Sequence, residues 1–201
     1  MGSPQGIIFD CDGTLADTMP LHFEAWRDAL AHYQLELDED RFYSLGGWPT
    51  RKIIQMLAVE TGRSLDVDEI ASFKEAKFLK NLGHVQRIEP VCEVLFKWHG
   101  KIPLGVATGA DRPVLMQILG QLGLVGLFHA EVCAEDTERH KPFPDVFLEA
   151  ARRIGVAPAD CLVYEDTDPG VEAGRSAGMQ VIDVRTLFTP RRVTARREVA
   201  R

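Results

Sequence analysis

Paired cysteines are missing from this chain. Its 201 residues include Cys11, Cys92, Cys133 and Cys161, too far apart to show a disulfide or metal-ligand spacing. Thiols scattered in this way read as reduced and mostly buried, and a cytoplasmic location is expected. No apolar stretch approaches the roughly 18 residues of a membrane span, so no membrane partner is expected. Residues Met1 to Gln5 carry neither the basic nor the apolar region of a secretory signal. A basic body is absent as well. Six arginines against Glu198 give segment 185–201 a local charge of +5, which leaves −12 on the rest of a chain whose net charge is −7. That balance argues against a nucleic-acid partner. The basic tail, 189–201, reads as a solvated, partly disordered end more than as a docking site for an acidic partner. Neither an internal repeat nor a low-complexity segment is present.

What is present starts from ordinary globular proportions, 45% hydrophobic and 26% charged residues. One stretch stands out: Ile7-Ile8-Phe9-Asp10-Cys11-Asp12-Gly13-Thr14. An apolar run too short for a helix reads as a buried parallel strand. In open α/β sheets, ligands sit just beyond the carboxyl ends of such strands. Alternation along an extended chain points Asp10 and Asp12 to one side and Cys11 to the other, so Cys11 is assigned to packing. Two crowded acids repel unless a proton or a divalent cation intervenes. A hard cation with oxygen ligands, Mg²⁺ above all, suits them.

The elements that follow fall into two groups. Helical spacing runs through Leu21 to Tyr33, Thr50 to Thr61 and Val67 to Leu82, the last with Ile70, Phe73, Ala76, Lys77 and Lys80 along it. After a further helix over Val91 to Trp98, strands and helices alternate. The predicted strands are Ile102 to Ala107, Ala130 to Ala134, Cys161 to Tyr164 and Gln180 to Val184. Between them lie a helix capped by Asp111 and closed by Gly123, one opened by Pro144 and closed by Gly155, and one running from Asp168-Pro169-Gly170 to about Gly178. Such alternation implies right-handed βαβ units and a parallel sheet covered on both faces, an α/β fold. Asp12 and Thr108 are 96 positions apart, whereas a βαβ unit needs about 30 residues. The surplus of roughly 60 residues by that measure is a helical insertion beside the acidic turn, placed to exclude water and touch a substrate.

Polar groups gather at the predicted strand ends. Asp10 and Asp12 follow the first, Thr108-Gly109-Ala110 the second, His140-Lys141-Pro142 the loop after the third, and Glu165-Asp166 the fourth. A hydroxyl with approachable amides, a lysine and metal-suited acids together describe phosphoryl transfer, in which one carboxylate is left to attack.

In order, these four groups resemble the motifs of the haloacid dehalogenase-like hydrolase superfamily, over residues 6–184. The resemblance implies a Rossmann-like three-layer sandwich with parallel strand order 5-4-1-2-3 and an inserted α-helical cap. Residues 1–15 and 86–188 would form the core and 16–85 the cap. It implies Asp10 as nucleophile forming an aspartyl-phosphate, Asp12 as general acid then base, and Thr108 and Lys141 as holders of the phosphoryl group. Mg²⁺ would be bound by Asp10, the backbone carbonyl of Asp12 and Asp166, with Glu165 beside them. Relatives that dehalogenate lack the second acid, so its presence disfavours that chemistry.

Within the superfamily the chain is most similar to the β-phosphoglucomutase-like branch, through Asp17-Thr18, His22-Phe23-Glu24-Ala25-Trp26 and Lys141-Pro142-Phe143-Pro144-Asp145. Lys97-Trp98-His99-Gly100 and the short end Val181 to Arg185 resemble the fructose-1-phosphate and 6-phosphogluconate phosphatases of that branch. Substrate contacts are expected from Thr18, His22, Trp48, Arg51, Gly109 and Ala110, with Lys77 and Lys80 as further candidates. Arg51 aligns with the mutase arginine that grips a second phosphate. Two mutase lysines are absent, Asp111 and Gly47 standing near their places, so a phosphatase of a small sugar phosphate is expected before a mutase. A catalytically silent binding protein is expected last. The branch is often monomeric, and a monomer is expected.

Overall fold

The structure is a computed structural model and describes residues 3–193. The first strand, β1 (Gly6–Phe9), is followed by four helices: α1 (Met19–Ala31), α2 (Glu39–Ser44), α3 (Thr50–Thr61) and α4 (Val67–Lys80). Helices and strands then alternate: α5 (Glu89–Trp98), β2 (Leu104–Ala107), α6 (Arg112–Leu122), β3 (Ala130–Val132), α7 (Asp145–Ile154), β4 (Cys161–Glu165), α8 (Asp168–Ser176) and β5 (Gln180–Asp183). All strand pairs are parallel, in the order β3-β2-β1-β4-β5. This is the expected order read from the other edge, and the Rossmann-like fold follows.

Alternation along the strands builds the three layers. Ile7 and Phe9 of β1 pack with Leu104 and Val106 against α5 and α6, through Val91, Leu95 and Leu115. Ile8, Val132 and Val163 pack on the opposite face against Phe147 and Ala150 of α7 and Ala173 of α8. Each fully buried side chain of this size contributes about 1.5–3 kcal/mol, so β1, buried at every position and covered on both faces, is firmly held. The residue after it inherits that rigidity.

The helices between β1 and α5 form a third cluster of their own, centred on Phe23, Trp26, Leu30, Ile54 and Ile70. Two antiparallel connections join this helical block to the sheet. Asp17 N–H donates to the carbonyl of Gln86 at 2.9 Å, and Ala16 bridges Arg87. α1 lies against α4 and closes the bundle.

Most predicted elements lie within two residues of the observed ones, the ordinary uncertainty of helix and strand ends. α5 begins earlier than expected because Pro90 in its first turn has a helix-ready φ and no N–H to satisfy. α2 was not anticipated. It has six residues, and Asp38 caps it by accepting from Arg41 N–H at 2.8 Å, a signal easily read as a polar turn. Asp111 stands at the N-cap position of α6, but its side chain makes no capping bond; Arg112 N–H donates instead to Glu135 at 3.0 Å. The basic end also departs from expectation. Residues 191–193 lie against α2: Val193 N–H donates to Glu39 at 2.7 Å, and Arg192 pairs with Asp40 at 3.0 Å. Residues 194–201 of the predicted tail lie outside the described residues.

Candidate active site

Because the sheet is parallel, all its strands end on one edge, and the polar groups expected there meet. Asp10 leaves β1, Thr108 leaves β2, Lys141 follows β3 and Asp166 leaves β4. Lys141 Nζ donates to Asp10 Oδ1 and to Glu165 Oε2, both at 2.6 Å. Its side chain is only 1% exposed. Carboxylate oxygens of Asp10, Glu165 and Asp166 lie within 4.8 Å of one another. Thr14 Oγ1 donates to Asp166 Oδ1 at 3.0 Å. Glycine is required at position 13: φ is +84°, and a Cβ there would meet Asp166 Oδ2 at 2.1 Å.

The charges of this cluster do not balance. Three buried carboxylates face one ammonium, a net of −2 if all are ionised. Burial and then the Glu165 charge push the Asp10 carboxyl up to about 8, although Lys141 pulls the other way. Asp166 is pushed well above the carboxylate range by burial, then by Glu165 and Asp10. Burial opposes the Lys141 charge, but Asp10 and Glu165 outweigh it and raise the ammonium above its usual value. Hard oxygen donors with a surplus of two negative charges suit a divalent cation of the Mg²⁺ type. Glu165 is the most occupied of the three. Its Oε1 accepts from Thr167 N–H, Thr167 Oγ1 and Asp166 N–H at 2.9, 2.7 and 3.0 Å. It therefore fixes the loop after β4 and steadies Lys141.

Asp12 belongs to a second network, shared with the helical block. Its Oδ1 accepts from Thr18 Oγ1 at 2.7 Å and lies 2.9 Å from His22 Nε2. His22 Nδ1 lies 3.0 Å from Lys74 Nζ, which can only donate. The network therefore assigns the His22 proton to Nε2, facing Asp12. Lys74 also donates to Glu75 Oε1 at 3.0 Å, and Thr50 donates to the same oxygen at 2.7 Å. Burial would raise Asp12, but His22, Thr18 and Lys74 prevail and hold its carboxyl below the usual value. The two acids of the first loop thus have opposite environments.

A cavity of about 270 Å³ lies between the sheet edge and the helical block. Asp10, Asp12, Thr108, Gly109 and Ala110 form its floor, and His22, Trp48 and Arg51, the expected substrate contacts, stand in its wall. Thr108 Oγ1 accepts from Ala110 N–H at 3.1 Å, which shapes the turn. Thr18 is a correction: it is fully buried and is not in the wall, so it acts on Asp12 and not on a ligand. Lys77 and Lys80 are likewise outside it, Lys77 pairing with Asp28 at 3.4 Å and Lys80 being exposed. The lysine that does reach the wall is Lys74, missed in the sequence. Ile70, Lys74 and Phe78 share one buried face of α4 at i, i+4, i+8. A lysine on an apolar face was the available signal. Cys11 is fully buried in the core, as expected of a packing residue.

The sequence profile of the haloacid dehalogenase-like hydrolase family matches residues 7–184. The fructose-1-phosphate phosphatase YqaB of Escherichia coli strain K12 is 42% identical over 183 residues, covering 90% of this chain and 97% of that protein. The β-phosphoglucomutase of Bacillus subtilis strain 168 is 30% identical over 190 residues, covering 90% of this chain and 83% of that one. Among solved structures, a hydrolase from Pseudomonas syringae superposes with a TM-score of 0.82 over 92% of this chain and 87% of its own, at 22% identity, a likeness of fold.

Proposed function

The chain belongs to the haloacid dehalogenase-like hydrolase family, and from that premise we propose that it is a Mg²⁺-dependent phosphatase of small sugar phosphates, acting through an aspartyl-phosphate. The observation that carries the reading is Asp10, held at 2.6 Å by a buried lysine, in contact range of Asp166 and open to the cavity.

In this reading Asp10 attacks phosphorus with a carboxylate oxygen, and the ester oxygen departs with a proton from Asp12. Asp12 then takes a proton from water, whose oxygen displaces Asp10 and releases inorganic phosphate. Lys141 and Thr108 hold the phosphoryl oxygens, with the amides of Gly109 and Ala110 behind them. Asp10, Asp166 and the backbone carbonyl of Asp12 would hold Mg²⁺, with Glu165 bracing the loop. When bound, the cation offsets the negative charge that builds on the phosphoryl oxygens. Asp12 paired with His22 and Thr18 is prepared for the second, basic half of the cycle. For the acidic half it must take up a proton, which those two contacts oppose, so the helical block (proposed as a cap over 16–85) has to shift between the halves.

Phosphatase is preferred to mutase because Arg51, the residue aligned with a mutase phosphate grip, is paired with Asp68, and acid replaces lysine at Asp111. The silent reading loses ground because the Asp10–Lys141–Glu165 contacts are all made. The test is phosphate release from fructose 1-phosphate with and without Mg²⁺. Turnover should need the metal and fall roughly 1,000-fold or more in Asp10→Asn. Persistent turnover in that variant would defeat the nucleophile assignment. Glucose 6-phosphate outpacing inorganic phosphate, from β-glucose 1-phosphate with glucose 1,6-bisphosphate, would favour the mutase.

A further inference from the structure

The wall of the cavity holds four acids, Asp10, Asp12, Glu75 and Asp111, and two permanent cations, Arg51 and Lys74. Both cations are already spoken for. Lys74 Nζ lies 3.0 Å from Glu75 Oε1, and its side chain is 4% exposed. Arg51 is 56% exposed and pairs with Asp68 outside the wall. Lys52 sits over the Trp48 ring at 4.5 Å and is not a wall residue. Asp111, which could have capped α6, makes no capping bond there and stands in the wall instead. Its carboxyl is raised by burial and by the charges of Glu135 and Glu75, against the pull of Arg51 and Lys74, so the charged groups of the wall feel one another.

The end of the cavity away from Asp10 therefore offers no uncompensated positive charge among the described residues. What it does offer is the half-buried indole of Trp48, with the hydroxyls of Thr50 and Ser72, while Trp26 lies behind them in the core. Aromatic faces beside a few polar groups suit the C–H faces and hydroxyls of a neutral polyol. The volume of about 270 Å³ lies under the roughly 300 Å³ at which pockets for drug-sized ligands begin, which leaves little room for a nucleoside. We propose that Glu75 and Asp111 set the charge specificity of the site, admitting phosphate monoesters of an uncharged polyol and rejecting esters that carry a second phosphate. Glu75 acts by neutralising Lys74, and Asp111 by repelling an anion at the mouth. The inference rests on the phosphatase reading, and it adds a substrate class and two residues that decide it.

The matched pair fructose 1-phosphate and fructose 1,6-bisphosphate differs only in the second phosphate. The wild-type protein should favour the monophosphate in kcat/KM by about 100-fold or more, the product of two single-charge effects of about tenfold each. Glu75→Gln frees the Lys74 charge and Asp111→Asn removes an anion at nearly constant shape. Each should narrow the ratio about tenfold, by lowering KM for the bisphosphate and not by raising kcat, because neither group touches phosphorus. The two variants lie on different elements, so misfolding of one leaves the other informative. Equal use of both esters by the wild type, or an unchanged ratio in both variants, would overturn the specificity assignment while leaving the phosphatase intact. No release from either ester or from p-nitrophenyl phosphate would overturn the phosphatase reading itself.

Discussion

At the residue scale the decisive fact is that Asp10, Glu165 and Asp166 crowd around one lysine. A carboxyl raised in the folded state is one whose proton the fold holds more tightly than the unfolded chain does. Asp10 goes from 3.8 to about 8. Its folded, metal-free form is therefore unpenalised at low pH and loses stability progressively as pH climbs from near 4 toward about 8. A divalent cation takes the place of that proton, and its affinity rises as the carboxyls ionise. Mg²⁺ at millimolar concentration should raise the melting temperature by several degrees at pH 8 and by distinctly less at pH 6. Differential scanning fluorimetry with and without chelator measures both. Asp166→Asn, which removes one ligand and one charge, should flatten the difference. An equal shift at the two pH values would mean that the cation binds elsewhere or not at all.

At the scale of elements, two loops that line the site come into close contact. A Cβ on Gly109, in the loop after β2, would come within 2.5 Å of the backbone carbonyl oxygen of Gly47, in the loop between α2 and α3. The clash is with backbone, so it cannot be relieved by turning a flexible side chain. Gly109→Ala should lower kcat/KM by tenfold or more by holding the two loops apart, with the melting temperature changed by only a few degrees, since neither Gly109 nor Gly47 belongs to a core cluster. Steady-state kinetics beside a thermal melt separates the two effects, and unimpaired kinetics would show that this approach is not needed for turnover. The same two loops mark the border of what the sequence discloses. The sheet edge was legible because buried parallel strands are short apolar runs, and whatever follows them is delivered to a common edge, where Asp10, Thr108, Lys141 and Asp166 meet. The helical wall was less so. A stripe through Ile70, Phe73, Lys77 and Lys80 and one through Ile70, Lys74 and Phe78 both satisfy helical periodicity, and only α1 packing against α4 decides between them. α2 was invisible because one and a half turns leave no period to detect. Asp111 misled because its type suits a cap, while its actual bond depends on Glu135, which is distant in sequence.

At the scale of the whole molecule, the chain crosses from the sheet to the helical block a third time, after the family match has ended at residue 184. Beyond β5, Phe188 packs against the sheet cluster and Val193 against the cluster of the helical block. Between them, Tyr43 of α2 donates to the carbonyl of Arg191 at 3.2 Å, and the Arg192 guanidinium lies 3.9 Å above the Tyr43 ring while pairing with Asp40. One such hydrogen bond contributes about 1 kcal/mol, and an exposed cation–π contact or ion pair about 0.5–1 kcal/mol. Together these contacts make a strap worth about 2 kcal/mol across the joint that has to move if Asp12 is to change partners. A chain ending at Phe188 should keep the sheet intact but lose several-fold to about 30-fold protection in the amides of α2, measured by hydrogen exchange. Its KM for a sugar phosphate should rise severalfold while kcat holds or increases, because a looser block closes less often on substrate and releases product sooner. Arg192→Ala should reproduce part of the effect, and added salt, which screens the Asp40 pair, should imitate it in the full chain but not in the shortened one. Identical exchange in α2 with and without the segment would show that the contacts are made at the surface without holding anything shut.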